Sequence, residues 1–123
     1  VSIFAMALLF RLGHTEYVTL LPKSITTAIG ISLSQELQGY VAITVTAIIM
    51  TGLLGNIAGG IICRILGIKH PIAKGIAIGT ASHVMGTAKA MEIGEIEGAM
   101  SSLSIAVAGC MTVGAAIFFE GLI

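Results

Sequence analysis

The chain has 123 residues, 56% of them hydrophobic and 10% charged, and its six basic and six acidic side chains cancel. A soluble domain carries about a quarter charged residues, and so few charges would not keep one dispersed. The balance also excludes nucleic-acid binding through bulk charge, so the composition points to an all-α integral membrane protein in which 1–123 is a single membrane domain.

In chain order, residues 1–10 (VSIFAMALLF) are apolar from the first position, with no basic leader and no small-residue cleavage site. They are expected to be the tail of a transmembrane helix in a longer protein, not a signal peptide. Arg11, His14 and Lys23 surround the connection that follows. Stretch 24–38 is short and polar, and it follows Pro22; proline is tolerated in the first turn of a helix and discourages helix in the residues before it, so the stretch is expected to start there. Thr27, Gly30, Ser34 and Gln38 share a loosely polar face there, with Lys23 at its entrance. A lysine beside a helix N-terminus anchors a carboxylate, or else it is an interfacial cation. Residues 40–65 supply a full apolar span with no charge before Arg64. Its Gly55 and Gly59 suit close helix packing.

The next stretch, 72–91, follows Pro71 and is again polar for its surroundings. On a helical wheel Gly75, Gly79, Ser82, Gly86 and Ala90 form a small-residue stripe. Thr80, His83 and Thr87 form a polar stripe beside it, and Ala77, Ile78, Ala81, Val84, Met85 and Ala88 take the far side. An ionisable group at membrane depth is expensive and marks a substrate or proton path more often than a structural bond. Imidazole titrates near neutral pH, so His83 is the candidate proton-coupling residue. The glycines and hydroxyls of GIAIGTASHVMGTA tolerate a break in the helix, which would turn free N–H groups and a positive dipole end towards an anion; Gly79 and Gly86 equally suit ordinary tight packing, as in the pair Gly75 and Gly79. Pro22, Ala28, Ile29 and Gly30 also recur at one common offset as Pro71, Ala77, Ile78 and Gly79, a weak hint of an internal repeat.

Residues 99–120 supply the last span. Before it, Glu92, Glu95 and Glu97 read as a solvated turn, with Lys89 paired to Glu92 or Glu95 or reaching to the interface. Cys63 and Cys110 each lie in an apolar run without a CxxC spacing and read as small buried hydrophobes; no metal site and no cofactor are expected. Basic residues collect on the cytoplasmic side, which puts 11–23 and 64–74 inside and 92–98 outside. Segments 1–10, 24–38, 40–65, 72–91 and 99–120 then alternate across the membrane, giving four to five transmembrane segments.

Two regions carry a family resemblance: LLPKSITTAIGISLSQELQG and KHPIAKGIAIGTASHVMGTAKAMEIGEIEGAMSSLSIAVAG. The first holds a proline-lysine-serine at Pro22, Lys23 and Ser24, with paired threonines Thr26 and Thr27. The second holds Ala81-Ser82-His83, then Gly86-Thr87-Ala88, then Gly94, Glu95, Glu97, Gly98 and the serine pair Ser101 and Ser102. In these the chain resembles the LrgB/CidB family of bacterial inner-membrane proteins, over nearly its whole length; family members often have proline where this chain has Ala28. Members are roughly twice as long, so the resemblance implies a C-terminal half. It further implies a multi-pass inner-membrane protein with broken helices and an elevator-transporter-like architecture; a homo-oligomer is expected, and with neither a nucleophile elbow nor a metal triad in the sequence an enzyme is not. Two roles come with it: antiholin-like control of murein hydrolase export and lysis with a small LrgA/CidA holin-like partner, and transport of small carboxylates, as in the plastid glycolate/glycerate carrier. On the transport reading, Lys23, Ser24, Thr26 and Thr27 form a midplane substrate site with Ser82, His83, Gly86 and Thr87, and His83 carries the coupled proton.

Overall fold

The computed structural model describes residues 2–120. These form six helices and no strand: α1 (Ser2–Phe10), α2 (His14–Leu20), α3 (Thr27–Glu36), α4 (Val41–Ile65), α5 (Pro71–Ile93) and α6 (Glu95–Glu120). Two of them, α4 and α6, are long and apolar enough to cross a membrane. At 1.5 Å per residue α4 is about 37 Å long, more than the hydrocarbon thickness of about 30 Å. Apolar side chains line its outer side, among them Leu54, Ile57 and Ile65, each more than 60% exposed. Surfaces of that kind are covered by lipid or by further protein.

α1, α3 and α4 end in the same way. Leu12 N–H bonds to Ala7 C=O, Gly39 N–H to Ser34 C=O and Ile68 N–H to Cys63 C=O. The residue before each donor lies at positive φ: Arg11, Gln38 and Gly67. This left-handed close satisfies the last carbonyls of a helix. Glycine adopts the conformation freely, whereas Arg11 and Gln38 bear its steric cost.

α5 is not straight. Ser82 (φ −136°, ψ 16°) and His83 (φ 43°, ψ −142°) leave helical geometry and divide it into arms 71–81 and 84–93, each roughly 15 Å long. The arms lie against one another. Ile78 and Ala90 share one buried cluster with Cys63, although a straight helix would hold them about 18 Å apart. A Cβ on Gly86 would come 3.1 Å from the carbonyl oxygen of Ile78. Along α4 the chain runs past Gly59 with Ile78, Gly55 with Ser82 and Gly52 with His83, then returns to Gly60 with Ile93. α5 is therefore a hairpin with Ser82 and His83 at its tip, and it enters and leaves at the same end of α4. Close contact through Gly75 and Gly79 joins its first arm to α6, at Glu97 and at Ser101.

α2 and α3 make a second, looser hairpin from the other end. Thr19 accepts a hydrogen bond from Tyr40 N–H (2.8 Å), and Thr44 donates to the Thr19 carbonyl (2.8 Å) while pairing with Ser34 (2.8 Å). These bonds fix α2 and α3 to the first turns of α4. α3 then packs Gly30 against the side chain of Ile48. α6 runs antiparallel to α4, passing the α5 hairpin first. It next meets Ile29 at Gly109 and joins the core of Ile3, Ala7, Tyr17, Val18, Leu33 and Leu37 through Ala116.

Several expectations change. Stretch 72–91 does not cross from end to end, because it folds back at its middle; Glu97 consequently lies beside Lys74 (3.9 Å) instead of at the opposite end, and 92–98 share an end with 64–74. Residues 11–23 are not one connection on the side of 64–74: 11–13 lie at the far end of α4, 14–20 form α2, and 24–38 return along the first turns of α4 as part of the hairpin instead of crossing. Glu97 is buried and, with Glu95, opens α6 in place of a solvated turn, the carboxylates facing the positive end of the helix dipole. Cys110 is exposed, whereas Cys63 is buried as expected. The weak repeat also loses its meaning: Pro71 opens α5, whereas Pro22 lies in the turn between α2 and α3.

Candidate functional site

The tip of the α5 hairpin gathers buried polar side chains, among them the one buried histidine of the described residues. Ser82, His83 and Thr87 are each 4% exposed, and Gly86 is buried beside them. His83 Nε2 lies 2.9 Å from the carbonyl oxygen of Ile48. A carbonyl only accepts, so Nε2 carries the proton of this bond and Nδ1 is the nitrogen left to gain one. The Thr87 hydroxyl lies 3.0 Å from the His83 carbonyl oxygen and 2.6 Å from Ser101 Oγ, and Ser104 donates to the Ser101 carbonyl (2.8 Å). A chain of hydroxyls thus runs from the tip into α6.

The backbone at His83 sits in a region that costs a non-glycine residue about 1–3 kcal/mol, so the surrounding packing must hold it there. Gly52 and Gly55 of α4 do so: a Cβ at Gly52 would stand 2.8 Å from His83 Nε2, and one at Gly55 would overlap Ser82. Asn56 adds a polar clamp, its Nδ2 donating to the Met85 carbonyl across the interface (2.8 Å). Asn56→Ala is expected to destabilise the protein by about 1 kcal/mol, the ordinary net worth of such a bond. Thr46→Ala, on the same helix, removes a hydroxyl bonded only to its own Ala42 carbonyl and should change little. Thermal unfolding of the two variants in detergent checks the contrast.

The first group is arranged differently. Lys23, Ser24 and Thr26 lie in the turn between α2 and α3, half-buried, and Thr27 opens α3. Lys23 Nζ donates to Ser24 Oγ (2.9 Å), and Thr26 occupies the N-cap position without a side-chain capping bond. No hydrogen bond among those described joins this group to the α5 tip. What they share is α4, on which Ile48 packs its side chain under Gly30 and gives its carbonyl to His83. Both hairpins therefore reach the middle of α4, one from each end.

The wheel put Thr80 with His83, but the break turns it outward, where its hydroxyl bonds back to the Ile76 carbonyl (2.7 Å). Ile78, assigned to the far side, is buried between the arms. Asn56 and Ser101 were missed as site residues. Asn56 carried a signal, being the single asparagine of the chain and lying inside an apolar run. No group of three or more metal-ligating side chains occurs among the described residues.

The model of the LrgB-like family matches residues 1–121. Holin-like protein CidB of Staphylococcus epidermidis is 48% identical over 105 residues, which cover 85% of this chain and 46% of that protein. Antiholin-like protein LrgB of Bacillus cereus is 37% identical over 113 residues, covering 92% and 49%. The chain spans about half the length of these curated relatives. No solved structure matches it.

Proposed function

The chain belongs to the LrgB-like family of membrane proteins, and on that premise we propose that it is the substrate-holding part of a multi-pass inner-membrane carrier for small carboxylates, not an enzyme. The observation that supports this most is the meeting of two helical hairpins on Ile48 from opposite ends of α4. Non-helical backbone at membrane depth is tolerated only where protein buries it or where it lines a cavity, and carriers use such breaks to hold ions.

The chemistry follows from the residues. A carboxylate needs donors and positive charge in a place from which water is excluded. Arm 84–93 begins at the tip and directs the positive end of its dipole there, as α3 does from Thr27. Lys23 supplies a full charge on a flexible stem, and Ser24, Thr26 and Ser82 supply hydroxyl donors, while Thr87 braces the tip with its proton on the His83 carbonyl. His83 takes a proton on Nδ1 while Nε2 stays bound to Ile48, so one extra positive charge accompanies the anion. Arg64, Lys69, Lys74 and Lys89 gather at the C-terminal end of α4, against Arg11 at the other end. The positive-inside rule makes the basic end cytoplasmic.

Protein reconstituted into liposomes and offered radiolabelled glycolate, pyruvate and lactate should show saturable uptake of at least one, faster with an inward proton gradient. The relatives' names favour a second reading: an antiholin-like regulator of lysis acting with a holin-like partner of the LrgA/CidA type. No uptake of any carboxylate, together with altered lysis in cells, would establish that reading instead.

A further inference from the structure

A second site lies away from the hairpin tips, at the end of α4 where both arms of α5 emerge. A cavity of about 580 Å³ opens there, and four of its lining residues are Arg64, Lys69, Lys74 and Lys89. No carboxylate is among the lining residues. Lys89 is held by Glu92 (2.7 Å), and Lys74 lies 3.9 Å from Glu97, while Arg64 and Lys69 have no carboxylate within ion-pair reach among the described residues. The remaining wall is apolar, with Ile57, Ile61, Ile68 and Ile93 facing the same space. The left-handed turn at Gly67 shapes this cavity: it sends Ile68 back against Cys63, and Lys69 after it lines the cavity with Lys74 and Lys89.

From this combination we infer that the cavity holds the phosphate headgroup of an anionic phospholipid. Two cations without a carboxylate partner, Arg64 and Lys69, beside two lysines each shared with a glutamate, suit a phosphodiester. The isoleucine wall, continuous with the apolar outer side of α4, suits the acyl chain tethered to it. A free phosphate would use the cations and leave that wall wet. Basic pockets between helices at the cytoplasmic face bind lipid headgroups by this pairing of charge and apolar surface. An occupant here touches both arms at their base, so it steadies the opening of the hairpin whose tip carries His83. The inference rests on the membrane reading but not on carboxylate transport, so failure of the uptake assay leaves it standing.

Native mass spectrometry of the detergent-solubilised protein, titrated with phosphatidylglycerol or phosphatidylcholine, tests it. The anionic lipid is expected to be retained at least tenfold better. Arg64→Gln with Lys69→Gln should weaken that retention about 25-fold, at roughly fivefold per cation lost, whereas Arg11→Gln at the other end should leave it unchanged. Equal retention of the two lipids, or wild-type retention by the double variant, overturns the inference. Displacement of phosphatidylglycerol by millimolar inorganic phosphate overturns the lipid assignment in favour of a soluble anion.

Discussion

His83→Ala is expected to lower carboxylate uptake at least tenfold while the protein remains folded. The Ile48 carbonyl lies mid-helix and keeps its helical partner, so losing the His83 bond costs only about 1 kcal/mol, the net value of an ordinary hydrogen bond. The transport cost is larger, because on the proposed mechanism the imidazole is the ionisable side chain among the described residues of the tip. Two companion variants separate proton chemistry from backbone strain. His83→Gly relieves a conformation worth about 1–3 kcal/mol and should unfold at higher temperature than His83→Ala, with uptake still lost. His83→Gln keeps a donor within reach of Ile48 and should fold like the parent, with any residual uptake indifferent to a proton gradient. Uptake and thermal unfolding on the same preparations give both readouts; His83→Ala transporting within twofold of the parent would remove the residue from the mechanism.

Gly79→Ala should be the more damaging change to the fold. A Cβ there would stand 2.5 Å from the Ser101 carbonyl oxygen and 2.7 Å from its hydroxyl, and would overlap Ser104 Oγ. The first of these is backbone, so no rotamer change relieves it and α5 must shift away from α6. Overpacking of this kind costs about 1–3 kcal/mol, against a gain of up to about 1 kcal/mol from alanine's better helix propensity. The net expectation is destabilisation, with the Thr87–Ser101 bond stretched as well. Gly114→Ala is the control, since no atom lies within 4 Å of its would-be Cβ; propensity alone acts there, and stability should hold or rise. Denaturation midpoints for the pair decide it, and a neutral Gly79→Ala would mean that the two helices are not in close contact.

What could be read in advance depended on which property fixed each element. α4 was legible almost to the residue, because a long apolar run without charge has few alternatives. α6 begins four residues earlier than its apolar run, since Glu95 and Glu97 are stabilised in a first helical turn although they look like a loop. α2 was absorbed into a connection: HTEYVTL has neither length nor apolar periodicity, and it is helical because Tyr17 and Val18 are completely buried by neighbours. The cluster of Ser82, His83, Gly86 and Thr87 was visible as polarity out of place. That the chain doubles back there was not, because a hairpin and a through-running helix can have the same composition, and counting charges takes every stretch as one crossing. The break itself falls on Ser82 and His83, not on either flanking glycine; Gly79 and Gly86 are used instead where helices touch.

The doubled-back form of α5 has a consequence for biogenesis. Each arm covers only about half the hydrocarbon thickness, so neither can be threaded through and left there as an independent crossing. The wall that shelters the tip includes Ser101 and Ser104, which leave the ribosome after the arms do. The pair must therefore wait near the headgroups until the final helix has been inserted. In a Cys63→Ala, His83→Cys background, truncation just beyond Gly94 should leave it unseated, with the introduced thiol open to a water-soluble maleimide.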